Sequence, residues 1–194
     1  MKLGRLVART VIGGLFIGHG TQKLFGWFDG PGLEGTTGMM ESLGLQPARE
    51  NAIAAGVTET AGGTMILTGT LTPVAASGLI GTMITAIRTV HWKNGPWNSN
   101  GGFEFNLVMI AALLILAESG PGKCSVDRAL GTEKTGPGSV VFALAGGALA
   151  SALLIEQGRR LAAGSDDGAE ESGSSDSGPG DSGPDETGAE PEPA

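Results

Sequence analysis

The sequence predicts an all-α integral membrane protein: a four-helix transmembrane bundle, a fifth C-terminal apolar helix, and a disordered acidic tail. Three observations carry that expectation. Five apolar stretches, residues 3–24, 52–71, 74–90, 103–117 and 139–155, alternate with segments rich in Gly, Pro and charge. Each approaches the ~20 residues that a helix needs to cross ~30 Å of hydrocarbon. The formal charge of -8 is segregated, because residues 165–194 hold ten acidic side chains and no basic one, leaving twelve basic against ten acidic before them. Small residues also recur at four-residue spacing within the apolar stretches, which lets helices approach closely in lipid, where apolar burial alone gains little.

The first span, 3–24, starts with Arg5 and Arg9, a basic flank that snorkelling permits. A cleaved signal peptide is the competing account, disfavoured because no small-x-small cleavage site follows Ile17. Gly14-Leu15-Phe16-Ile17-Gly18 forms its small-residue face, and its end turns polar and aromatic through His19, Gln22, Lys23, Phe25, Trp27 and Phe28. Residues 26–51 form a long connection in which Met39 to Leu45 read as a short amphipathic helix lying along the interface. Spans two and three, 52–71 and 74–90, are joined so tightly that they form an antiparallel hairpin. They repeat the small-residue device at Gly56/Thr60, Gly78/Thr82 and Gly81/Thr85. Trp92 and Trp97 before span four suit the headgroup belt.

Gly and Pro at 120–122 stop span four, 103–117. The expected division is a transmembrane four-helix domain over 1–130, a linker at 131–138, the fifth helix at 139–156 and the tail at 157–194. The fifth run has no charge in its interior and is read as a crossing in preference to a helix lying on the surface. Residues 165–194 of the tail, rich in Ser, Gly, Pro, Asp and Glu and with no aromatic or branched aliphatic residue, cannot bury enough apolar surface to offset the entropy of ordering.

Hairpin alternation brings the end of span one, the start of span two, the end of span three and the start of span four to one side. The candidate pocket residues His19, Gln22, Lys23, Glu59, Arg88, His91 and Glu104 all fall there. Glu59 has apolar helix on both sides and cannot easily snorkel, so it should face the interior and pair. Arg88 is the preferred partner from hairpin depth and Lys23 the second choice. Two readings stay open: an ion pair that only fixes helix register, or a polar pocket that binds a small ligand or relays protons. A quinone would need donors beside an apolar slot, which His19 or Lys23 next to Phe25, Trp27 and Phe28 supplies. Haem held by His19 and His91 is considered and set aside, since His near helix ends more often lines a pocket or surface. No metal site is expected, and Cys124, the single cysteine, excludes an internal disulfide and a CxxC pair. No basic patch exceeds Arg159-Arg160, which disfavours nucleic acid as a partner. Basic residues near span ends are Lys2, Arg5, Arg9, Lys123, Arg128 and Lys134 on the N-terminal side, against Lys23, Arg49, Arg88 and Lys93 opposite. That count places the N-terminus in the cytoplasm of a multi-pass cell-membrane protein.

The run from Gly14 to Phe28, Glu59 with Gly62-Gly63, Gly101-Gly102-Phe103-Glu104-Phe105, and Gly120-Pro121-Gly122 followed by Ser125-Val126-Asp127 together resemble the DoxX family of small four-helix membrane proteins. The similarity covers residues 3–130, and the chain departs from the four-span pattern beyond Leu130. The resemblance implies a membrane protein linked to redox metabolism, including quinol oxidase or thiosulfate:quinone oxidoreductase subunits and thiol or oxidative-stress systems. The expected function is an accessory subunit of a redox system that binds a quinone-like ligand or a partner oxidoreductase. Any enzymatic role would lie within an oxidoreductase complex rather than in a stand-alone enzyme. The alternative is a non-catalytic membrane scaffold or small-solute carrier. The sequence leaves the ligand, the partner beyond the lipid bilayer and the oligomeric state open.

Overall fold

The computed structural model describes residues 3–173, with side chains through residue 161, so residues 174–194 of the expected acidic tail lie outside the described residues. Seven α-helices and no strand occur among the described residues. They are α1 (Leu3–Phe25), α2 (Gly32–Ser42), α3 (Ala48–Thr68), α4 (Thr72–Ala86), α5 (Glu104–Ser119), α6 (Val126–Leu130) and α7 (Pro137–Gly173). A π-helical turn, Ile87–His91, continues α4. The all-helical expectation is met.

Element boundaries differ from the expected spans where charge sits on a solvated helix face. α3 begins at Ala48, before residue 52, because Ala48 and Ala52 face the core while Arg49 and Glu50 point outward from the same first turn. Gly69 stops it, at φ 68°, a conformation that disfavours any Cβ. α2 starts seven residues before Met39 and covers the α1–α3 end of the bundle. α7 continues past residue 156 to Gly173. Among the described residues two helical runs are long and apolar enough to cross a membrane, Thr72–Asn94 and Pro137–Leu161. α1 and α3 have comparable length, 23 and 21 residues, but carry the buried charges Arg9 and Glu59, and α5 has 16 residues.

The main core joins Ile12 and Phe16 of α1, Ile66 of α3, Leu79 and Ile80 of α4, Leu113 and Leu116 of α5 and Ala143 of α7. A second cluster at one end gathers Met40, Leu45, Ala48, Ala52 and Ile155. α7 therefore runs the height of the bundle. It begins beside the residues after α5, where the Gly136 amide donates to the Glu118 carbonyl, and Gly158 reaches the Gly44–Leu45 backbone at the other end.

The most extensive interhelical packing joins α1 to α3, followed by α4 to α7. Its small-residue face is not the expected Gly14/Gly18 pair, around which a Cβ would meet nothing within 4 Å. Gly13 and Gly20 face α3 instead: a Cβ on Gly13 would meet the Gly63 carbonyl at 2.6 Å, and one on Gly20 the Gly56 carbonyl at 2.6 Å. Both helices thus use glycines seven residues apart, two helical turns, rather than four. Gly81, which the sequence does single out, faces α7, where a Cβ on it would stand 3.3 Å from the Gly147 carbonyl.

Arg9 does not snorkel. It is 2 % exposed and donates to the carbonyls of Ile66 (3.0 Å), Leu67 (2.6 Å), Pro121 (2.7 Å) and Cys124 (2.8 Å). The first two are terminal carbonyls of α3, where Ile66 also accepts from the capping Gly69 amide at 3.2 Å. Across the hairpin, buried Asp127 accepts from the backbone amides of Leu71 (2.8 Å) and Thr72 (3.2 Å) at the start of α4. A cation therefore closes the negative end of α3 and an anion the positive end of α4, each matched to the helix dipole.

Candidate functional site

The site grows from the α1–α3 contact. Gly20 and Gly56 bring the two backbones together, and three residues beyond each glycine stand Lys23 and Glu59. Their side chains meet, Lys23 Nζ to Glu59 Oε2 at 2.5 Å, with side-chain exposures of 21 % and 5 %. The partner of Glu59 is thus Lys23 and not the preferred Arg88. Arg88 is exposed and lies within the π-helical turn. That turn adds a residue to the helical repeat, so a face counted straight through span three is misassigned beyond Ala86.

Lys23 and Glu59 line a cavity of ≈ 460 Å³. Its apolar walls come from Phe16 of α1, Met39 and Met40 of α2, Met83 of α4, Met109 of α5 and Leu154 of α7. His19 lies on the same α1 face as Lys23, and its ring sits 6.2 Å from that of Phe105. His91 also lines the cavity, and its Nδ1 lies 2.7 Å from the Gly101 carbonyl; a carbonyl only accepts, so Nδ1 carries the proton. The cavity thus combines an apolar slot with an ion pair and two imidazoles.

The remaining sequence candidates stand outside the lining. The Gln22 amide donates to the Phe28 carbonyl at 3.5 Å and supports the turn after α1. Glu104 accepts from the Asn98 amide at 3.1 Å and ties down the loop before α5. Phe25, Trp27 and Phe28, expected beside the slot, are exposed and form a cluster of tilted and edge-to-face rings at the end of α1. Trp92 and Trp97 are exposed at the same end of the bundle.

Sequence reasoning missed two contributors. Asn106 is buried at 4 % exposure, lines the cavity and directs its amide to Met83 Sδ at 3.5 Å. α7 supplies Ala150, Ser151 and Leu154, with Ser151 Oγ accepting from Thr85 Oγ1 at 3.0 Å. Asn106 follows Glu104 by two positions in an apolar helix, a polar interruption that the sequence displays. The contribution of α7 has no signal in its own residues, because any small-residue face on it would read alike.

An all-helical bundle with apolar side chains exposed along α1, α5 and α7, and with its charges paired inside, defines a membrane protein. The family model of DoxX matches residues 4–92, the stretch from α1 to the end of α4 that contains both Lys23 and Glu59. An uncharacterised membrane protein of Mycobacterium tuberculosis is 33 % identical over 141 residues, 68 % of this chain and 83 % of its own. The Bacillus subtilis protein named "Putative oxidoreductase CatD" is 31 % identical over 61 % of this chain and 81 % of its own. The inner membrane protein YphA of Escherichia coli is 32 % identical over 63 % and 87 %. No solved structure matches. The chain belongs to the DoxX family.

Proposed function

We propose that the protein is an accessory subunit of a membrane redox system that accepts a quinone-like ligand, or the corresponding part of a partner oxidoreductase, in the cavity between α1, α3 and α4. The observation that carries this reading is an ion pair set in the wall of an apolar cavity, Lys23 with Glu59. A ring with two carbonyl oxygens needs an apolar slot and a few convergent donors, and ≈ 460 Å³ falls within the range of small-molecule sites. Lys23 and His19 are the donors for such oxygens. Glu59 holds the Lys23 ammonium in place. The name of the Bacillus subtilis relative favours redox chemistry over other small-molecule roles. The second reading, a scaffold in which the pair only fixes packing, draws on the same geometry, since Lys23 and Glu59 bridge the two helices that the glycines hold together.

A short-chain ubiquinone analogue added to the purified protein separates the two. Saturable binding that is lost in Lys23→Met and in Ala55→Phe, which fills the cavity, is the expected result. Absence of binding in a well-folded native chain moves the assignment to the scaffold.

We further infer that α1, α3, α4, α5 and α7 each cross the bilayer. The full height of α7 supports the fifth crossing. That crossing adds Arg159 and Arg160 to Lys23, Arg49, Arg88 and Lys93 at the cavity end, six basic residues against six at the other, so basic charge favours neither orientation. The crossing brings the C-terminal part of α7 to the cavity side.

A further inference from the structure

At the end of the bundle opposite Lys23 and Glu59, the first turns of α1 meet the α5–α6 connection around a second cavity of ≈ 440 Å³. Four cations line it, Arg5, Arg9, Lys123 and Arg128, against one carboxylate, Glu133. Their capacities differ. Arg9 spends four N–H donors on carbonyls and contributes fixed charge, part of which the buried Asp127 behind it offsets. Arg5 gives only Nη1, to the carbonyls of Ser119 (2.6 Å) and Gly120 (3.3 Å), which leaves Nε and Nη2 to donate. Its stem lies across Gly122, where a Cβ would stand 3.3 Å from Arg5 Cδ; this holds the guanidinium in place. Arg128 is tied to Glu133 through Nη1 at 3.3 Å but is 61 % exposed, and Lys123 is exposed.

Beyond the Arg9–Asp127 and Arg128–Glu133 partners, the cavity keeps the charge of Arg5 and Lys123 uncompensated. Apolar surface adjoins it. Leu6 forms part of the wall, and the exposed Leu3, Val7 and Val11 run down α1 beside it. A forked guanidinium and an ammonium at the depth of the first helical turns, next to a stripe suited to an acyl chain, match a phosphate ester carried by a lipid.

We propose that this cavity binds the phosphate of an anionic phospholipid, with Arg5, Lys123 and Arg128 as donors, Arg9 as fixed charge and the acyl chains along Leu3, Val7 and Val11. Free phosphate presents the same oxygens, and the test separates the two sources. The full-length protein, purified in a neutral detergent, is titrated with phosphatidylglycerol, phosphatidylcholine or inorganic phosphate. Bound lipid is read by native mass spectrometry and protection by thermal unfolding.

The expected result is one phosphatidylglycerol held about tenfold more tightly than phosphatidylcholine. That preference should vanish in Lys123→Ala/Arg128→Ala, whose side chains lie at the surface. It should persist in Lys93→Ala/Lys134→Ala, which removes the same charge outside the lining. Equal affinity for the two lipids in the native chain, or a preference that survives in Lys123→Ala/Arg128→Ala, overturns the site. Protection by inorganic phosphate equal to that by phosphatidylglycerol overturns the lipid as its source.

Discussion

Glu59 is 3 % exposed in the middle of a helix, and its carboxylate is tolerable there because Lys23 reaches it from α1. Removing one partner of such a pair strands a charge. Lys23→Met should cost about 3–5 kcal/mol of stability, whereas Lys23→Met/Glu59→Leu should recover most of that loss. Unfolding in detergent would show it, and a double variant as unstable as the single one would contradict the pairing. Arg9 is a second such residue. Arg9→Met removes a donor from four buried or partly buried carbonyls, of which Ile66 keeps the Gly69 amide, and should cost about 3 kcal/mol, while Asp127→Asn, which keeps an acceptor for one of the amides of Leu71 and Thr72 but not both, should cost less than Asp127→Ala, which keeps none. These residues were unevenly legible. A carboxylate within apolar helix announces that it must pair, and hairpin depth alone ranks Lys23 behind Arg88. Arg9 looked like a flank because a basic residue near a helix start reads alike whether it snorkels or turns inward.

Between elements, glycine position decides which helices can touch. Gly20→Ala should destabilise by about 1–3 kcal/mol, since its Cβ would press on the backbone of α3, which cannot yield as a side chain does. Gly14→Ala and Gly18→Ala meet nothing within 4 Å and should be neutral or gain up to about 1 kcal/mol from helix propensity. Parallel melting curves of the three variants make the comparison; equal loss in all three would remove Gly20 from the interface. The sequence displayed all of these glycines, and the four-residue motif drew attention to the wrong pair. Rotation of α1 about its axis is set by the whole contact with α3, including the fit of Gly63 against Gly13 and the reach of Lys23, and no local pattern contains it.

At the scale of the molecule, α1 exposes Leu3, Val7, Val11 and Leu15 in a four-residue stripe, and α7 exposes Val141, Phe142, Leu149 and Leu153. Apolar surface of that extent is unfavourable in water and suits lipid. The full height of α7 predicts that Ser42→Cys and Arg159→Cys, in a Cys124→Ser background, react with an impermeant thiol reagent from the same side of sealed vesicles, and Lys134→Cys from the other. Opposite reactivity of Ser42→Cys and Arg159→Cys would mean that α7 does not cross.

Hydropathy, helix stops and hairpin alternation are local or nearest-neighbour properties, so a helical membrane protein with its polar candidates at one end is legible in the residues, and the ordered motifs from Gly14 to Asp127 carry the likeness to the DoxX family. The tertiary structure decided which of those candidates meet. It joined Lys23 to Glu59, left Arg88, Gln22 and Glu104 outside the cavity, and added Asn106 and α7 to its wall. It also turned Arg9 inward onto the end of α3. The physical reason is rotational: a π-helical turn and a two-turn glycine spacing set which face of each helix points inward, and both depend on all the helices packed at once.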